Sequence, residues 1–379
     1  MKTNPLKQLE GLGQSIWLDY IKRDMFASGK LKKLIVDDSL RGMTSNPSIF
    51  EKAIAEDHDY DEDILRMALE GMSLAEIYEA LTLKDVQDAA DLFRGIYDQT
   101  GGHDGYVSLE VNPHLAHDTS ATIEEGKRLW SALNRPNVLI KVPGTKAGLP
   151  AIRELISDGI NVNVTLLFGL SRYREVVEAY LAGLEDRRAH GKQVKRVTSV
   201  ASFFLSRIDV LIDPLLKKQI SQGAEMSDYA KQLEGQMAIA SAKMAYQIFE
   251  DIFSSERFKK LSYEGAGVQR LLWASTGTKN PAYSDVKYVE GVIGPRTINT
   301  LPLETLDAYR DHGQPEVRLT LDLQRTTAYF QWLSELGIDL EQLTQQLEKE
   351  GVDKFVKSYD QLLETIKKII ASHDPRGHA

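Results

Sequence analysis

The chain has 379 residues, 42% hydrophobic and 27% charged, a balance expected of a globular protein large enough to bury a substantial core. Lys and Arg number 46 against 55 Asp and Glu, and a net charge of −9 lacks the basic footprint of a nucleic-acid binder. There is no cysteine, which excludes disulfide and thiolate chemistry.

The opening MKTNPLKQLEGLG has no apolar run of the signal-peptide kind. The longest apolar stretches, such as Gly159 to Ser171, are shorter than a membrane span and contain Asn and Thr. The expectation is a soluble, cytoplasmic protein with neither membrane nor nucleic acid as partner; no oligomeric state is implied.

Strands are expected at Ser15–Tyr20, Gly42–Ser45, Tyr106–Val111, Val138–Val142, Ile160–Leu166, Val197–Phe203, Arg270–Ser275 and Tyr288–Ile293, with helical patterns between them. In GLSRYREVVEAYLAGLEDRRAH, for example, Leu170, Tyr173, Val177, Leu181 and Leu184 recur at helical spacing. Thr122-Ile123-Glu124-Glu125 has the form of a capping box ahead of Leu129 and Trp130. Leu301 to His373 reads as helical, with breaks near Gly313-Gln314-Pro315, Gly337 and Gly351.

Strands alternating with helices fit a closed parallel barrel or a doubly wound sheet. No G-x-G-x-x-G lies between a strand and a helix, since Gly11-Leu12-Gly13 precedes the first strand. No Pro/Gly/Ser-rich linker divides the chain, and no internal repeat is apparent. The fold expected is therefore α/β, a (β/α)8 TIM barrel formed as one domain over residues 1–379. It carries additional helices between strands 2 and 3, between strands 6 and 7, and in a C-terminal extension from about residue 301 to 379. That extension either covers the barrel or forms an interface.

Successive strand side chains point to opposite faces, so parity can be read from the sequence. Ser15, Trp17 and Asp19 share a face in SIWLDY, as do Ser108 and Glu110 in YVSLEV. Lys141 in NVLIKV faces with Leu139, away from Val138, Ile140 and Val142. Asn161, Asn163 and Thr165 oppose Val162, Val164 and Leu166, and Thr44 and Asn46 fall together as the second strand ends. In a barrel the apolar face meets the surrounding helices, and the C-terminal strand ends open onto the active site. Asp19, Glu110, Lys141, Asn163 and Thr165 all sit late in their strands.

Singly, each has a plain structural reading. A strand lysine is usually an edge or snorkelling residue, and an inward acid is usually a structural partner. Their shared parity and placement favour a joint function. A partly desolvated lysine can be uncharged near pH ~7–8, and the free amine then attacks a ketone to form a Schiff base. The protonated imine draws electrons from the neighbouring carbon–carbon bond, so aldol cleavage needs no metal or other cofactor. Glu110 and Asp19 are the carboxylates available to move protons.

His114-x-x-His117-Asp118 can be weighed as a ligand set, but Asp118 and Thr119 are as easily helix-capping residues, and no metal is expected. Ser202 and Arg207 after the sixth strand, with Ser275 and Lys279 after the seventh, suit a phosphate monoester, because barrel phosphate sites form near the last strands.

The segments GMTSNPSIF, VSLEVNPHLAHDT, NVLIKVPGTKAG, GINVNVTLLF, SVASFFLSRID and LLWASTGTKNP resemble the transaldolases, in order from residue 42 to 281. GIDLEQLTQQLEKEGVDKF near the C-terminus is similar too. The resemblance implies a Schiff-base lysine at Lys141, acid/base roles for Asp19 and Glu110, and Thr165 helping to hold a water beside Glu110. It further implies that Thr44, Asn46, Asn163 and Ser202 bind a dihydroxyacetone unit, with Phe204 walling its pocket, while Arg207 and Ser275 hold phosphate. Many members have a second phosphate-binding arginine, for which this chain offers Lys279 after a longer turn. The implied activity is transfer of dihydroxyacetone between sugar phosphates in the non-oxidative pentose phosphate pathway. Fructose-6-phosphate aldolases share the lysine, but look shorter and carry a tyrosine at Phe204 and a glutamine near Glu110. A barrel that only binds sugar phosphates is the non-catalytic alternative.

Overall fold

Eight parallel strands close into a barrel in chain order, each pairing with the next and the last returning to the first. The computed structural model describes residues 4–56, 58–223 and 226–373; both ends of the expected 1–379 domain fall outside them. The strands are β1 (Gln14–Asp19), β2 (Leu40–Thr44), β3 (Tyr106–Glu110), β4 (Val138–Pro143), β5 (Val162–Leu167), β6 (Ser199–Phe204), β7 (Arg270–Ala274) and β8 (Thr297–Leu301). The helical insertions fall where expected, with Pro47–Ala55, Asp61–Leu69 and Leu74–Gln99 between β2 and β3 and, among the described residues, four helices between β6 and β7.

Register turns the sequence parity into a shared interior. Trp17 pairs with Gly42, which pairs with Tyr106; Glu110 pairs with Lys141, which pairs with Asn163. Gly42 is a packing requirement, because a Cβ there would lie 2.5 Å from the Trp17 indole that fills the interior. The N-terminal end of the barrel is closed by a buried network. Arg270 is 3.2 Å from Asp104 and donates to Ser15 Oγ at 2.6 Å and to the Thr297 carbonyl at 2.8 Å. Trp17 Nε1 donates to Asp104 at 3.2 Å. The polar groups late in the strands are thereby segregated to the other end.

Several sequence expectations need correction. Tyr288–Ile293 is not a strand: Lys287–Glu290 is a short helix, and Tyr288, Val289, Val292 and Ile293 are buried by packing rather than by pairing. The eighth strand is Thr297–Leu301. The helix before Leu129 starts at Thr119 under an Asp118 cap that accepts from Ala121 N–H at 3.0 Å, so Thr122 lies inside it and donates to the Leu115 carbonyl. Leu166 has a φ of 60° where β5 loses its regular register to β6, so strict alternation ends there.

Gly351 does not break the last helix, which runs unbroken over Leu340–Ser372. The glycine serves close approach instead, since a Cβ on it would meet Leu166 Cδ2 at 2.9 Å. Gly169 does the same from the barrel side, where a Cβ would lie 2.8 Å from Thr344 Oγ1. The helix is tied to Pro47–Ala55 by Ser48 and Ser358, whose hydroxyls are 2.6 Å apart. The helix packs over the barrel and against the helix Pro47–Ala55. Val352, Phe355 and Leu362 join the same hydrophobic core cluster as the barrel strands.

Candidate active site

Lys141 projects from the middle of β4 toward Ser45, the residue that follows β2. Its Nζ donates to the Ser45 carbonyl at 3.0 Å and lies 3.2 Å from Glu110 Oε2. The ring of Phe355, from the C-terminal helix, has its centroid 5.6 Å from the same nitrogen. The Lys141 residue is only 4% exposed. A buried charge held this way needs compensation, and Glu110 is the carboxylate nearest to it.

The Lys141–Glu110 contact is an ion pair rather than an aligned hydrogen bond. Neither Glu110 oxygen has a hydrogen-bond partner among the described residues, and neither does Thr165 Oγ1. Burial pushes the Glu110 carboxyl up to about 7, against the opposing pull of the Lys141 charge. Burial also raises Asp19, opposed by Lys141 and by the Thr44 hydroxyl, which donates to Asp19 Oδ1 at 2.7 Å. Thr44 is itself 2.7 Å from the Thr300 hydroxyl.

All the sequence candidates except Glu110 and Asn163 line one cavity of about 220 Å³ at the C-terminal end of the barrel. Glu110 reaches it through Lys141. Asn163 stands behind the wall: its Oδ1 accepts from Ser202 Oγ at 2.6 Å, and its Nδ2 donates to Ser108 Oγ at 3.0 Å. Asn163 therefore orients Ser202, which lies within β6 and not after it. Asn46 caps the helix Pro47–Ala55, its Oδ1 accepting from Ile49 N–H at 3.1 Å. That leaves its Nδ2 for the cavity.

Phe204 ends β6 against Phe168, with ring centroids 5.2 Å apart, and the Arg207 guanidinium lies 6.0 Å from the Phe204 ring. Burial lowers the Arg207 group from its usual range. Ser275 follows β7 with a φ of 53°, in the left-handed region, and is held by Ser206 Oγ, which donates to its carbonyl at 2.7 Å. Strain of this kind in a non-glycine residue persists where surrounding contacts fix it, and here it sets a hydroxyl at the cavity edge. Lys279, in the loop that follows, also lines the cavity.

Lys52, Thr300, Lys354 and Phe355 also line the cavity and were missed by sequence reasoning. Lys354 and Phe355 sit in GVDKF, a segment singled out for resemblance, but a helix far along the chain offers no spacing that ties it to a strand lysine. His114 is committed elsewhere, its Nε2 lying 2.8 Å from Asp360, while Asp118 serves as a cap. Among the described residues no group of three or more His, Cys, Asp or Glu is placed to hold a metal ion. No helix among them is long and apolar enough to cross a membrane.

The family model described as "Transaldolase/Fructose-6-phosphate aldolase" matches residues 16–366. The chain belongs to this family. It is an enzyme, a transferase. Among curated transaldolase-family relatives, it is 47% identical over 379 residues to a protein of Trichodesmium erythraeum named "Transaldolase", covering 99% of this chain and 100% of the relative. It is also 47% identical to a "Transaldolase" of Saccharopolyspora erythraea over 97% of this chain and 98% of that one. A "Transaldolase 2" of Streptomyces coelicolor is 46% identical over 96% of both. The family match runs through the last helix almost to its end, so the cover over the barrel belongs to the matched region.

Proposed function

We propose that the chain transfers a dihydroxyacetone unit from sedoheptulose 7-phosphate or fructose 6-phosphate to glyceraldehyde 3-phosphate or erythrose 4-phosphate, through a Schiff base on Lys141. This would be a step of the non-oxidative pentose phosphate pathway in the cytoplasm. The observation that carries the reading is a buried amine 3.2 Å from Glu110, in a cavity also lined by Asp19, Arg207 and Ser275. Barrel and C-terminal helix act as one unit in this reading, which their shared core supports.

In the proposed sequence, uncharged Lys141 Nζ attacks the C2 carbonyl of the ketose, and loss of the C2 oxygen as water leaves a protonated imine. A carboxyl that titrates about 7 suits Glu110 to exchanging protons with the carbinolamine at neutral pH. Asp19 takes the C4 hydroxyl proton, the C3–C4 bond breaks, and its electrons pass to the imine to give an enamine. The aldose phosphate leaves, and the enamine carbon attacks the acceptor aldehyde, which takes its proton back from Asp19. Water, held by Glu110 and the unpartnered Thr165 hydroxyl, then hydrolyses the new imine. Thr44, Asn46 and Ser202, the last aligned by Asn163, bind the three-carbon unit against Phe204. Arg207, Ser275 and Lys279 hold the phosphate, Lys279 as a point charge without a guanidinium fork.

Transfer is favoured over simple cleavage by Phe204, which stands where aldolases of the family resemblance carry tyrosine, and by the region of Glu110, near which they carry a glutamine. The test is a product assay with fructose 6-phosphate and erythrose 4-phosphate. Sedoheptulose 7-phosphate should form and disappear with Lys141→Ala; free dihydroxyacetone accumulating equally well without an acceptor would make the protein an aldolase instead.

A further inference from the structure

Besides Lys141, four cations line the one cavity: Lys52, Arg207, Lys279 and Lys354. None of them forms an ion pair among the described residues, although the chain carries a net charge of −9. Elsewhere pairing is common: Arg310 forks onto Asp38, Arg257 onto Glu178 and Glu185, and Arg41 onto Glu10. Like charges set together without partners oppose folding, and natural sequences break such local rules at functional sites. Burial, together with Arg207, Lys279 and Lys52, holds the Lys354 ammonium below its ordinary range.

The four have different origins. Arg207 and Lys279 come from the segments that follow β6 and β7, the usual place for a barrel phosphate site. Lys52 and Lys354 come from the helices Pro47–Ala55 and Leu340–Ser372, outside that arrangement. Those helices are joined at Ser48 and Ser358, 2.6 Å apart. Each lysine lies about one helical turn from its serine, so the contact that docks the helices also sets both ammonium groups at the mouth.

We infer that Lys52 and Lys354 are specificity-determining residues that read the phosphate end of the sugar, so that the helical cover selects phosphorylated aldehydes and ketoses over unphosphorylated ones. The inference rests on the transfer reading above. A phosphate monoester offers three terminal oxygens and close to two negative charges, more than one guanidinium and one ammonium satisfy. Rim lysines keep their charge toward solvent on flexible stems, so they suit capture of the anion at the entrance.

The test uses the full chain and the variants Lys354→Met, Lys52→Met and the double, with fructose 6-phosphate as donor and D-glyceraldehyde 3-phosphate or D-glyceraldehyde as acceptor. The ratio of kcat/KM for the phosphorylated over the plain acceptor should fall about tenfold for each lysine removed, mostly through KM. Lys354→Arg, which keeps the charge, should restore most of the ratio. An unchanged ratio in the double variant, with wild-type protein still giving a reducible adduct on Lys141, would overturn the inference and leave the transfer reading standing. Absence of that adduct in the wild type would remove the reading itself, and the inference with it.

Discussion

Lys141 and Glu110 sit side by side on adjacent strands, in register, with Nζ and Oε2 3.2 Å apart and both groups buried. Parallel pairing of β3 with β4 makes this unavoidable once both residues face inward. The pair fixes where chemistry can start, and the second acid, Asp19, approaches the same cavity from β1.

The first prediction concerns pH. Burial raises Glu110 to about 7 from an ordinary 4.5, so the folded chain holds a proton across a window where the unfolded chain has released it. Its contribution to stability is therefore present in full below pH 4.5 and is lost as pH rises through about 7. In Glu110→Gln, stability relative to wild type should improve between pH 4 and pH 8 by up to about 3 kcal/mol, at roughly 1.36 kcal/mol per unit. The rate profile should lose its limb near neutrality, with kcat reduced about 10²–10⁴-fold. Denaturation at several pH values and a pH–rate series check both; parallel stability curves would contradict the assignment.

The second concerns the cover. Gly351→Val would force a branched side chain against Leu166, which a bare Cβ already approaches at 2.9 Å. The helix carrying Lys354 and Phe355, one turn further on, should be displaced. We expect a loss of about 1–3 kcal/mol in stability and a rise in KM for sugar phosphates. Thermal unfolding with steady-state kinetics reads both, and a rise in stability with unchanged KM would show that the close approach is unimportant.

Most of the barrel and much of its mouth are legible in the amino-acid order, for a physical reason. β1 and β3 to β7 are apolar runs whose inward positions alternate with outward ones, and a period of two survives in the sequence. The eighth strand, TINTL, has Asn and Thr among few apolar residues, while the apolar YVEGVI just before it is buried as a helix and turn. Burial alone therefore misled the assignment. Of the candidates that share the cavity, Asp19, Thr44, Lys141 and Thr165 lie late in their strands, where parity is informative. Lys52, Lys354 and Phe355 come from helices, and their meeting depends on how glycines 169 and 351 let one helix cross the barrel. Nothing in local spacing encodes that crossing.

The third prediction tests the separation of floor from mouth. Arg270 and Asp104 close the opposite end of the barrel, buried, with Ser15 as a shared partner and Trp17 donating to Asp104. Arg270→Ala leaves Asp104 buried without its counter-charge and should cost about 3–5 kcal/mol. The folded fraction should keep its kcat, since the residue touches nothing in the cavity. Urea unfolding and active-site titration check this; a large fall in kcat at unchanged stability would show the two ends to be coupled.

The most direct measurement is borohydride reduction of the protein with fructose 6-phosphate, followed by mass mapping. The account predicts a stable three-carbon or six-carbon adduct on the peptide carrying Lys141, absent in Lys141→Ala. Fructose 6-phosphate binding with no adduct on that lysine would contradict it and leave a barrel that only binds sugar phosphates.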